Sequence, residues 1–326
     1  MFKKHIPVLL QEVIEGLNLK SNYNIIDATL GGGGHAEKIL EKTSPSGILI
    51  GFDLDPEAIK IAKKNLNKNK NCVIFIQGNY KDIKQSFFAK GYEGSKTKTN
   101  EQLSKISING ILLDLGLSLY QLQEKERGFT FLGQQSLDMR YDRNEKKINA
   151  EYIINNFKEE ELADIFYRYG EEKLSRQIAS LIIKRRAQEK IDSPEKLVKI
   201  IELIYKSKFK NKSKKHPATK IFQALRIYTN EEFNNIKDFL PVAIDVLKPG
   251  GRLAVISYHS LEDKIIKEYF KKEARDCICP LELQECRCGH RASIKIINRK
   301  VIVPSEEEIE NNPASRSAKL RIVEKL

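Results

Sequence analysis

Residues 27–35 read Asp-Ala-Thr-Leu-Gly-Gly-Gly-Gly-His, and the fold prediction starts from this stretch. A short β-branched run at 24–28 comes just before it and a helical pattern follows, so it predicts a strand-to-helix junction. Successive glycines let the backbone turn tightly and let a ligand approach the main chain with no Cβ in the way. A flexible loop is the alternative. The spacing is not that of the dinucleotide fingerprint, so a pyrophosphate ligand is not specifically indicated.

Short β-branched runs alternate with helical patterns in the first half of the chain, which predicts a parallel sheet covered by helices. The predicted strands are residues 24–28, 47–52, 72–77 and 109–113, with a helix at 56–66. A fifth strand at 252–257 follows Pro249-Gly250-Gly251, which we interpret as a turn that ends a preceding helix.

A long segment separates the fourth and fifth strands. Leu115 and Leu253 are 138 positions apart, whereas one crossover helix with its loops needs only a few dozen residues. The segment repeats apolar residues at helical spacing, and Ser193-Pro194 has the pattern of a helix start. We therefore predict a helical subdomain, residues 123–217, inserted into a core of residues 1–122 and 218–326. The alternating pattern after Ser293 predicts closing antiparallel strands.

Two aspartates follow predicted strands. Asp53 comes 20 positions after Gly33, where an acid can accept hydrogen bonds from both ribose hydroxyls of an adenosine-containing cofactor. A helix cap is the alternative, and that role suits Asp55 better, because Asp55 precedes Pro56. Asp114 ends the fourth strand, which places its carboxylate toward a cofactor or a reacting group; a structural carboxylate bonded to backbone amides is the alternative. The adenosine could belong to NAD, ATP or S-adenosylmethionine.

The charge balance points to a polyanionic partner. The 326 residues include 57 Lys and Arg against 44 Asp and Glu, a net charge of +13. Seven of the lysines lie between Lys206 and Lys220, with no acid among them. A solvated loop is the alternative to phosphate binding there. The residues predicted to bind RNA are Lys208, Lys210, Lys212, Lys214, Lys215 and Arg316, and Arg321 extends that surface.

The sequence predicts a cytoplasmic protein with no membrane partner. No apolar run is long enough for a signal peptide or a spanning helix. Five cysteines, an odd number, do not have the pattern of an extracellular disulfide framework. Four of them, Cys277, Cys279, Cys286 and Cys288, lie near His290. No metal is predicted; a zinc site at this cluster is the alternative, although the Cys-x-Cys spacing is tighter than usual.

Longer motifs decide which cofactor is expected. They are His5 to Leu10, Asp114 to Gly116, Glu126 to Phe129, Leu137 to Arg140, His216 to Thr219, Phe222 to Arg226, Ser257 to Asp263, Asn312-Pro313 and Arg316 to Ala318. In this order, and over nearly the whole chain, they resemble the bacterial 16S ribosomal RNA (cytosine-N4) methyltransferases of the H type, the MraW family.

The resemblance implies a Rossmann-like class I methyltransferase with an inserted helical substrate domain. It implies that S-adenosylmethionine methylates N4 of a cytidine in the decoding region of 16S rRNA, with the small ribosomal subunit as partner. A homodimer is one option for the oligomeric state, which the sequence leaves open. The cofactor contacts implied by position are Gly33, Gly34, His35, Asp53, Tyr80, Asp114 and Gln121.

Methyl transfer to an amine needs a proton acceptor. Asp114 is the first candidate and His259, after the fifth strand, is the second; a helix-capping histidine is the alternative for His259. An extruded base could stack on Tyr258, Phe129 or Phe131, unless these aromatics belong to the core. Three other classes compete: a DNA amino-methyltransferase, which the lack of adjacent prolines disfavours, an NAD-dependent oxidoreductase and a non-catalytic RNA-binding factor.

Overall fold

The computed structural model describes residues 6–88, 106–116, 127–131, 136–143, 147–208, 216–280, 283 and 285–326, with the backbone alone at 70, 71 and 86–88. The chain divides into two compact units. The sheet unit comprises Met1–Gly116 and Phe233–Leu326, and the helical unit comprises Leu117–Glu232.

A seven-stranded sheet forms the centre of the sheet unit, in the order β3-β2-β1-β4-β5-β7-β6. Its strands are β1 (Ile25–Asp27), β2 (Leu49–Asp53), β3 (Val73–Gln77), β4 (Ile108–Asp114), β5 (Leu247–Ser257), β6 (Ile294–Ile296) and β7 (Lys319–Lys325). Strands β1 to β5 pair in parallel, and β7 runs antiparallel to both β5 and β6. This mostly parallel sheet with flanking helices confirms the Rossmann-like arrangement predicted from the sequence.

Helices lie in both units of the chain. In the described ranges they are α1 (Leu10–Gly16), α2 (Gly34–Thr43), α3 (Pro56–Asn65), α4 (Ile83–Phe88), α5 (Ala150–Asn156), α6 (Glu159–Gly170), α7 (Ser175–Arg186), α8 (Pro194–Lys208), α9 (Thr219–Thr229), α10 (Glu232–Val246), α11 (Ser260–Glu273) and α12 (Glu306–Asn311).

The strands are apolar at successive positions because each face of the sheet has its own core. Ile25 packs with α1, α2 and α3 on one face, and its neighbour Ile26 packs with α10 and α11 on the other. Alternate residues of a strand point to opposite faces, so a sheet covered on both sides needs apolar residues at both. The helix predicted at 56–66 is α3, and Asp55 caps it by accepting the Glu57 backbone N–H at 3.0 Å.

The Pro249-Gly250-Gly251 segment differs from the prediction. It was expected to form a turn before the fifth strand, but β5 already begins at Leu247. Leu247 pairs with Ile108, and the next pair joins Arg252 to Gly110, so the extra residues of β5 bulge out between the two pairs. Gly250 has φ +74°, a conformation that suits glycine at such a bulge.

The tail contains antiparallel strands, as predicted. β6 and β7 carry the alternating residues, and Ile302 contributes only an isolated bridge to Leu320. Arg321 was expected to extend a basic surface, and this expectation is wrong. Its Nε lies 2.7 Å from Oδ1 of Asp263 and its Nη2 lies 3.2 Å from Oδ2, so the guanidinium is bound to a carboxylate on α11.

The helical unit contains α5 to α9 around an apolar core of its own. The Ser193 hydroxyl accepts the Lys196 backbone N–H at 3.4 Å at the start of α8, where the sequence predicts a helix start. The unit ends at Glu232 and not at residue 217, because Ile221, Phe222 and Leu225 of α9 belong to this core. In the part of the chain that the structure describes, no helix is long and apolar enough to cross a membrane.

Candidate cofactor site at the carboxyl ends of the strands

The point where the strand order reverses lies between β1 and β4. From β1 the sheet continues through β2 to β3 on one side, and from β4 it continues to β5 on the other. Ligands of open α/β sheets bind in the crevice beyond the carboxyl ends of the strands at such a point. Asp27, Asp53 and Asp114 are the last residues of β1, β2 and β4. Three carboxylates therefore follow one edge of the sheet.

The glycine loop joins β1 to α2. Gly33 precedes α2 with φ +84°, a conformation that favours glycine, and a Cβ there would crowd the Leu66 side chain, with Cδ1 at 3.1 Å. A Cβ at Gly31 would meet no atom closer than 4.0 Å, and one at Gly32 none closer than 3.7 Å, among the atoms described. The backbone is therefore open to a ligand at Gly31 and Gly32, while Gly33 packs the loop against the helix layer.

Asp53 holds the glycine loop against the end of β2. Its Oδ2 accepts the Gly31 backbone N–H at 2.8 Å, and its Oδ1 accepts the Asp55 N–H at 2.9 Å. Burial raises the pKa of Asp53 to about 6, and these backbone hydrogen bonds oppose the rise. Each carboxylate oxygen has a second acceptor site, so Asp53 can still receive two hydroxyl donors.

His35, the second residue of α2, is buried, and its Nε2 lies 2.9 Å from the carbonyl oxygen of Val8. Burial lowers the pKa of His35, and the neutral ring then carries its proton on Nε2 to donate to that carbonyl. Nδ1 lies 3.7 Å from Oδ2 of Asp114. Because the ring is neutral, this contact is not an ion pair; it aims a nitrogen lone pair toward Asp114.

Asp114 is fixed from two sides. Its backbone N–H donates to the Thr29 hydroxyl oxygen at 2.7 Å, and its Oδ1 accepts the Tyr258 phenol at 2.8 Å. Burial raises the pKa of Asp114 to about 7, opposed by the Tyr258 hydrogen bond. The same burial raises the pKa of Tyr258, so the phenol keeps its proton. Gly116 has φ +140°, and a Cβ there would lie 3.1 Å from the Tyr258 ring.

His259 starts α11 as its capping residue. Its Nδ1 accepts the Glu262 backbone N–H at 3.3 Å, and its Nε2 lies 3.0 Å from Glu262 Oε1. Glu262 Oε2 accepts the backbone N–H groups of Tyr258, at 2.9 Å, and His259, at 3.3 Å. This reciprocal capping orients the turn after β5 that presents Tyr258 to Asp114.

The remaining predicted contacts are placed as follows. Gly34 is the first residue of α2. Tyr80 lies in the turn after β3, half-buried, with its ring edge-to-face on Phe239 at 5.2 Å. Gln121 lies outside the described residues, as do Lys210, Lys212, Lys214 and Lys215. Lys208 is the exposed last residue of α8, and Arg316 is exposed in a short turn of the sheet unit.

The two aromatic candidates of the helical unit belong to its packing. Phe129 is buried in the core of that unit. Phe131 stacks on His216 at 4.8 Å and meets Phe222 edge-on at 4.8 Å. The core interpretation therefore holds for both.

Sequence reasoning missed two members of the site. Asp27 carries a pKa raised to about 7 by burial; its place at the end of the first strand was the available signal. Tyr258 was considered only as a stacking ring, whereas its phenol bonds Asp114. Its position next to His259 gave no signal of that partner, which lies 144 residues away in the chain.

The three carboxylates suit a ligand with positive charge. Burial disfavours their ionised forms, and no lysine or arginine nitrogen in the described ranges pairs with any of them. A sulfonium and an ammonium group would supply the missing charge, and the open backbone at Gly31 would admit an adenosine. S-adenosylmethionine carries all three features, so the residues present fit it.

A sheet of this order with a glycine loop after β1 and carboxylates at its switch point defines a class I methyltransferase. The chain belongs to the MraW methylase family, whose model matches residues 2–326, and this confirms the family predicted from the motifs. Fold and family together confirm S-adenosylmethionine as the cofactor.

Similar proteins cover the full length of the chain. One from Heliobacterium mobile is 43% identical over 322 residues, one from Halothermothrix orenii is 43% identical over 323, and one from Clostridium botulinum (strain 657) is 43% identical over 323. Each alignment covers 99% of both chains, and each of these relatives is named ribosomal RNA small subunit methyltransferase H.

Proposed function

We propose that this protein methylates N4 of one cytidine in the decoding region of 16S rRNA, on the small ribosomal subunit. The relatives' names support the RNA class of substrate. The observation that carries the chemistry is the position of Asp114, a mostly buried carboxylate at the end of β4 whose Oδ1 accepts the Tyr258 phenol and whose pKa desolvation raises to about 7. A substrate on the ribosome places the reaction in the cytoplasm.

The cofactor is held by the sheet unit. Gly33 and Gly34 shape the loop that approaches it, and Asp53 accepts the two ribose hydroxyls. His35 and Asp114 form the wall beside the switch point, Tyr80 contributes its ring at the end of β3, and Gln121 completes the set by its place in the motif.

Asp114 is the proton acceptor of the reaction. The N4 lone pair of cytosine is delocalised into the ring, so N4 is a poor nucleophile and gains from a base that takes its proton as it rehybridises. When bound, S-adenosylmethionine supplies an activated methyl group on a sulfonium. Asp114 Oδ1 is occupied by Tyr258, and Oδ2 is the oxygen that accepts the N4 proton. A pKa of about 7 keeps a large share of this carboxyl ionised at neutral pH.

His259 is less suited to that role. Its Nδ1 lone pair accepts the Glu262 N–H, so in the neutral ring the proton is on Nε2, next to Glu262 Oε1. Neither nitrogen then has a lone pair for the N4 proton. His259 acts as the capping residue that positions Tyr258.

RNA is bound by the helical unit through the basic run that begins at the end of α8. Lys208 is exposed there, and Lys210, Lys212, Lys214 and Lys215 follow it in the sequence. Exposed Arg316 adds a contact from the sheet unit. Lysine and arginine side chains neutralise backbone phosphates without reading sequence, which fits a recognition task that also uses RNA shape.

Methylation of isolated small subunits with labelled S-adenosylmethionine, followed by nucleoside analysis, tests the proposal. We expect the label in N4-methylcytidine from the decoding region. Asp53→Ala should abolish cofactor binding and labelling, whereas Asp114→Asn should bind the cofactor and lose about 100-fold or more in kcat. Asp245→Ala, an exposed aspartate paired with Lys84, is the matched control and should keep full activity. Label in another nucleoside, or cofactor binding without any methylation, would overturn the proposal.

A further inference from the structure

The loop between α11 and β6 has no buried apolar side chain among its described residues. Residues 274–293 form no helix or strand where they are described. Ile278 and Leu283 are 38% and 47% exposed. Loops of this length without secondary structure are uncommon in compact units unless something else fixes them. The loop holds Cys277, Cys279, Cys286 and Cys288, four of the five cysteines of the chain.

The four sulfur atoms converge on one point. All four Sγ atoms lie within 4.8 Å of one another, with Cys286 and Cys288 at 3.6 Å and Cys277 and Cys288 at 3.8 Å. These distances are much longer than the S–S bond of a disulfide, and the four thiols are free. Tetrahedral zinc with Zn–S bonds of about 2.3 Å separates its sulfurs by about 3.8 Å. The observed spacing is that of ligands around a single ion.

Backbone N–H groups point at the same sulfurs. Ile278 N–H donates to Cys288 Sγ at 3.5 Å, Cys279 N–H donates to Cys277 Sγ at 3.4 Å, and Arg287 N–H donates to Cys279 Sγ at 3.4 Å. Such hydrogen bonds stabilise thiolates and orient metal ligands from outside the coordination sphere. The loop therefore supports negative charge on sulfurs that would repel one another without a cation between them.

We infer that Cys277, Cys279, Cys286 and Cys288 bind one structural Zn²⁺. Four thiolates suit zinc and not the hard cations Mg²⁺ or Ca²⁺, which take oxygen ligands. An iron–sulfur cluster spreads its cysteines around several iron atoms, whereas these sulfurs surround the volume of one ion. His290 is outside the converging group, and its Nε2 lies 3.2 Å from the Lys272 carbonyl oxygen.

The metal would close a loop whose base is already joined. Ser293 N–H donates to the Glu273 carbonyl at 2.9 Å, and Ala292 N–H donates to Asp276 Oδ1 at 3.3 Å. These bonds bring the two ends of the loop together next to α11 and β6. Four protein ligands leave no open coordination position, so the site is structural and separate from methyl transfer.

Elemental analysis of the full-length protein, purified with a reductant and without added metal, tests the inference. We expect about one zinc per chain. Cys286→Ser with Cys288→Ser should lose it, and Cys72→Ser, which removes the one cysteine outside the cluster, should retain it. Circular dichroism checks that both variants are folded.

A second measurement covers the case in which the double variant does not fold. Wild-type protein is stripped with a chelator, titrated with zinc chloride, and separately loaded with Co²⁺. We expect one equivalent of zinc to bind, and Co²⁺ to give the thiolate charge-transfer and intense visible bands of tetrahedral sulfur coordination. Absence of zinc uptake, two disulfides in the intact mass, iron in place of zinc, or full zinc content in the double variant would overturn the assignment.

Discussion

The phenol of Tyr258 donates a 2.8 Å hydrogen bond to Oδ1 of Asp114 and so joins the residue after β5 to the last residue of β4. Burial raises the pKa of this carboxyl, and the hydrogen bond lowers it. Tyr258 therefore sets the fraction of Asp114 that is ionised near neutral pH. In the proposed mechanism Asp114 must be ionised to accept the N4 proton, so we expect the tyrosine to act on catalysis through the aspartate.

Tyr258→Phe should raise the pKa of Asp114 above about 7, because this mostly buried carboxylate loses the hydrogen bond donated by the phenol. The acidic limb of kcat/KM then moves to higher pH, and activity at pH 7 falls about tenfold. Most of the activity should return at alkaline pH. The measurement is the pH profile of methylation for the variant and the wild type.

Tyr269→Phe is the matched control, since Tyr269 lies on α11 and contacts Phe270. Its profile should overlay that of the wild type. A Tyr258→Phe variant whose activity falls equally at every pH would contradict the role of Tyr258 in setting the Asp114 ionisation.

Gly116→Ala should disturb the same hydrogen bond between Tyr258 and Asp114 by displacing the Tyr258 ring. At φ +140° an alanine is strained, and its Cβ would lie 3.1 Å from the Tyr258 ring. We expect the free energy of unfolding to fall by about 1–3 kcal/mol, together with a loss of activity. Urea denaturation and methylation assays measure the two effects.

Gly250→Ala separates strain from crowding. Gly250 also has positive φ, +74°, but no described atom lies within 4 Å of an added Cβ. This variant should lose about 1 kcal/mol of stability and keep full activity. Equal loss of activity in both variants would rule out the Tyr258 contact as the cause.

Local patterns were enough to predict the sheet. The apolar pairs such as Ile25 and Ile26 marked strands buried on both faces, and the glycines marked the turn into α2. The bulge at Pro249 to Gly251 was misread, because proline and glycine signal a break in regular structure without saying whether the strand resumes in register. That outcome depends on the partner strand β4.

Site residues could be predicted from the sequence where their position at the end of a strand determines that they lie at the sheet edge. Asp53 and Asp114 could be assigned to the sheet edge because each ends a strand. Tyr258 and Arg321 could not be assigned to their partners, because their contacts depend on which elements become neighbours. Pairing of β5 with β4 brings Tyr258 to Asp114. A basic residue such as Arg321 looks like surface charge until its carboxylate partner is known.

Lys208→Glu combined with Lys210→Glu and Lys212→Glu should weaken RNA binding and flatten its salt dependence. For each phosphate that the protein no longer neutralises, the slope of log K against log[salt] becomes shallower by about 0.7–0.9. Binding to small subunits or to a decoding-region RNA, measured at several salt concentrations, gives the slope. Melting of the protein should not change.

The control for this triple variant has the same change in net charge at another place. Lys264, Lys267 and Lys271 are exposed on α11, and their replacement by Glu removes three lysines from that helix. We expect a small loss of affinity from the altered net charge and an unchanged slope. If both triple variants lower the slope equally, the basic run of the helical unit is not the binding site.

Cofactor binding should release protons near neutral pH. Burial raises the pKa to about 7 for Asp27, about 6 for Asp53 and about 7 for Asp114, so these carboxyls are partly protonated at about pH 6.5. A sulfonium beside them favours the ionised forms and lowers their pKa values. Calorimetry of S-adenosylmethionine binding in buffers of different ionisation enthalpy counts the protons released. The release should shrink at about pH 8, where the carboxyls are already ionised.

S-adenosylhomocysteine provides the matched ligand, because it shares the adenosine and the amino acid but lacks the sulfonium charge. It should release fewer protons than S-adenosylmethionine at the same pH, and the difference should shrink in Asp114→Asn if that carboxyl faces the sulfonium. Equal release by both ligands would show that the site responds to the shared groups alone. Net proton uptake at about pH 6.5 would contradict the raised pKa values themselves.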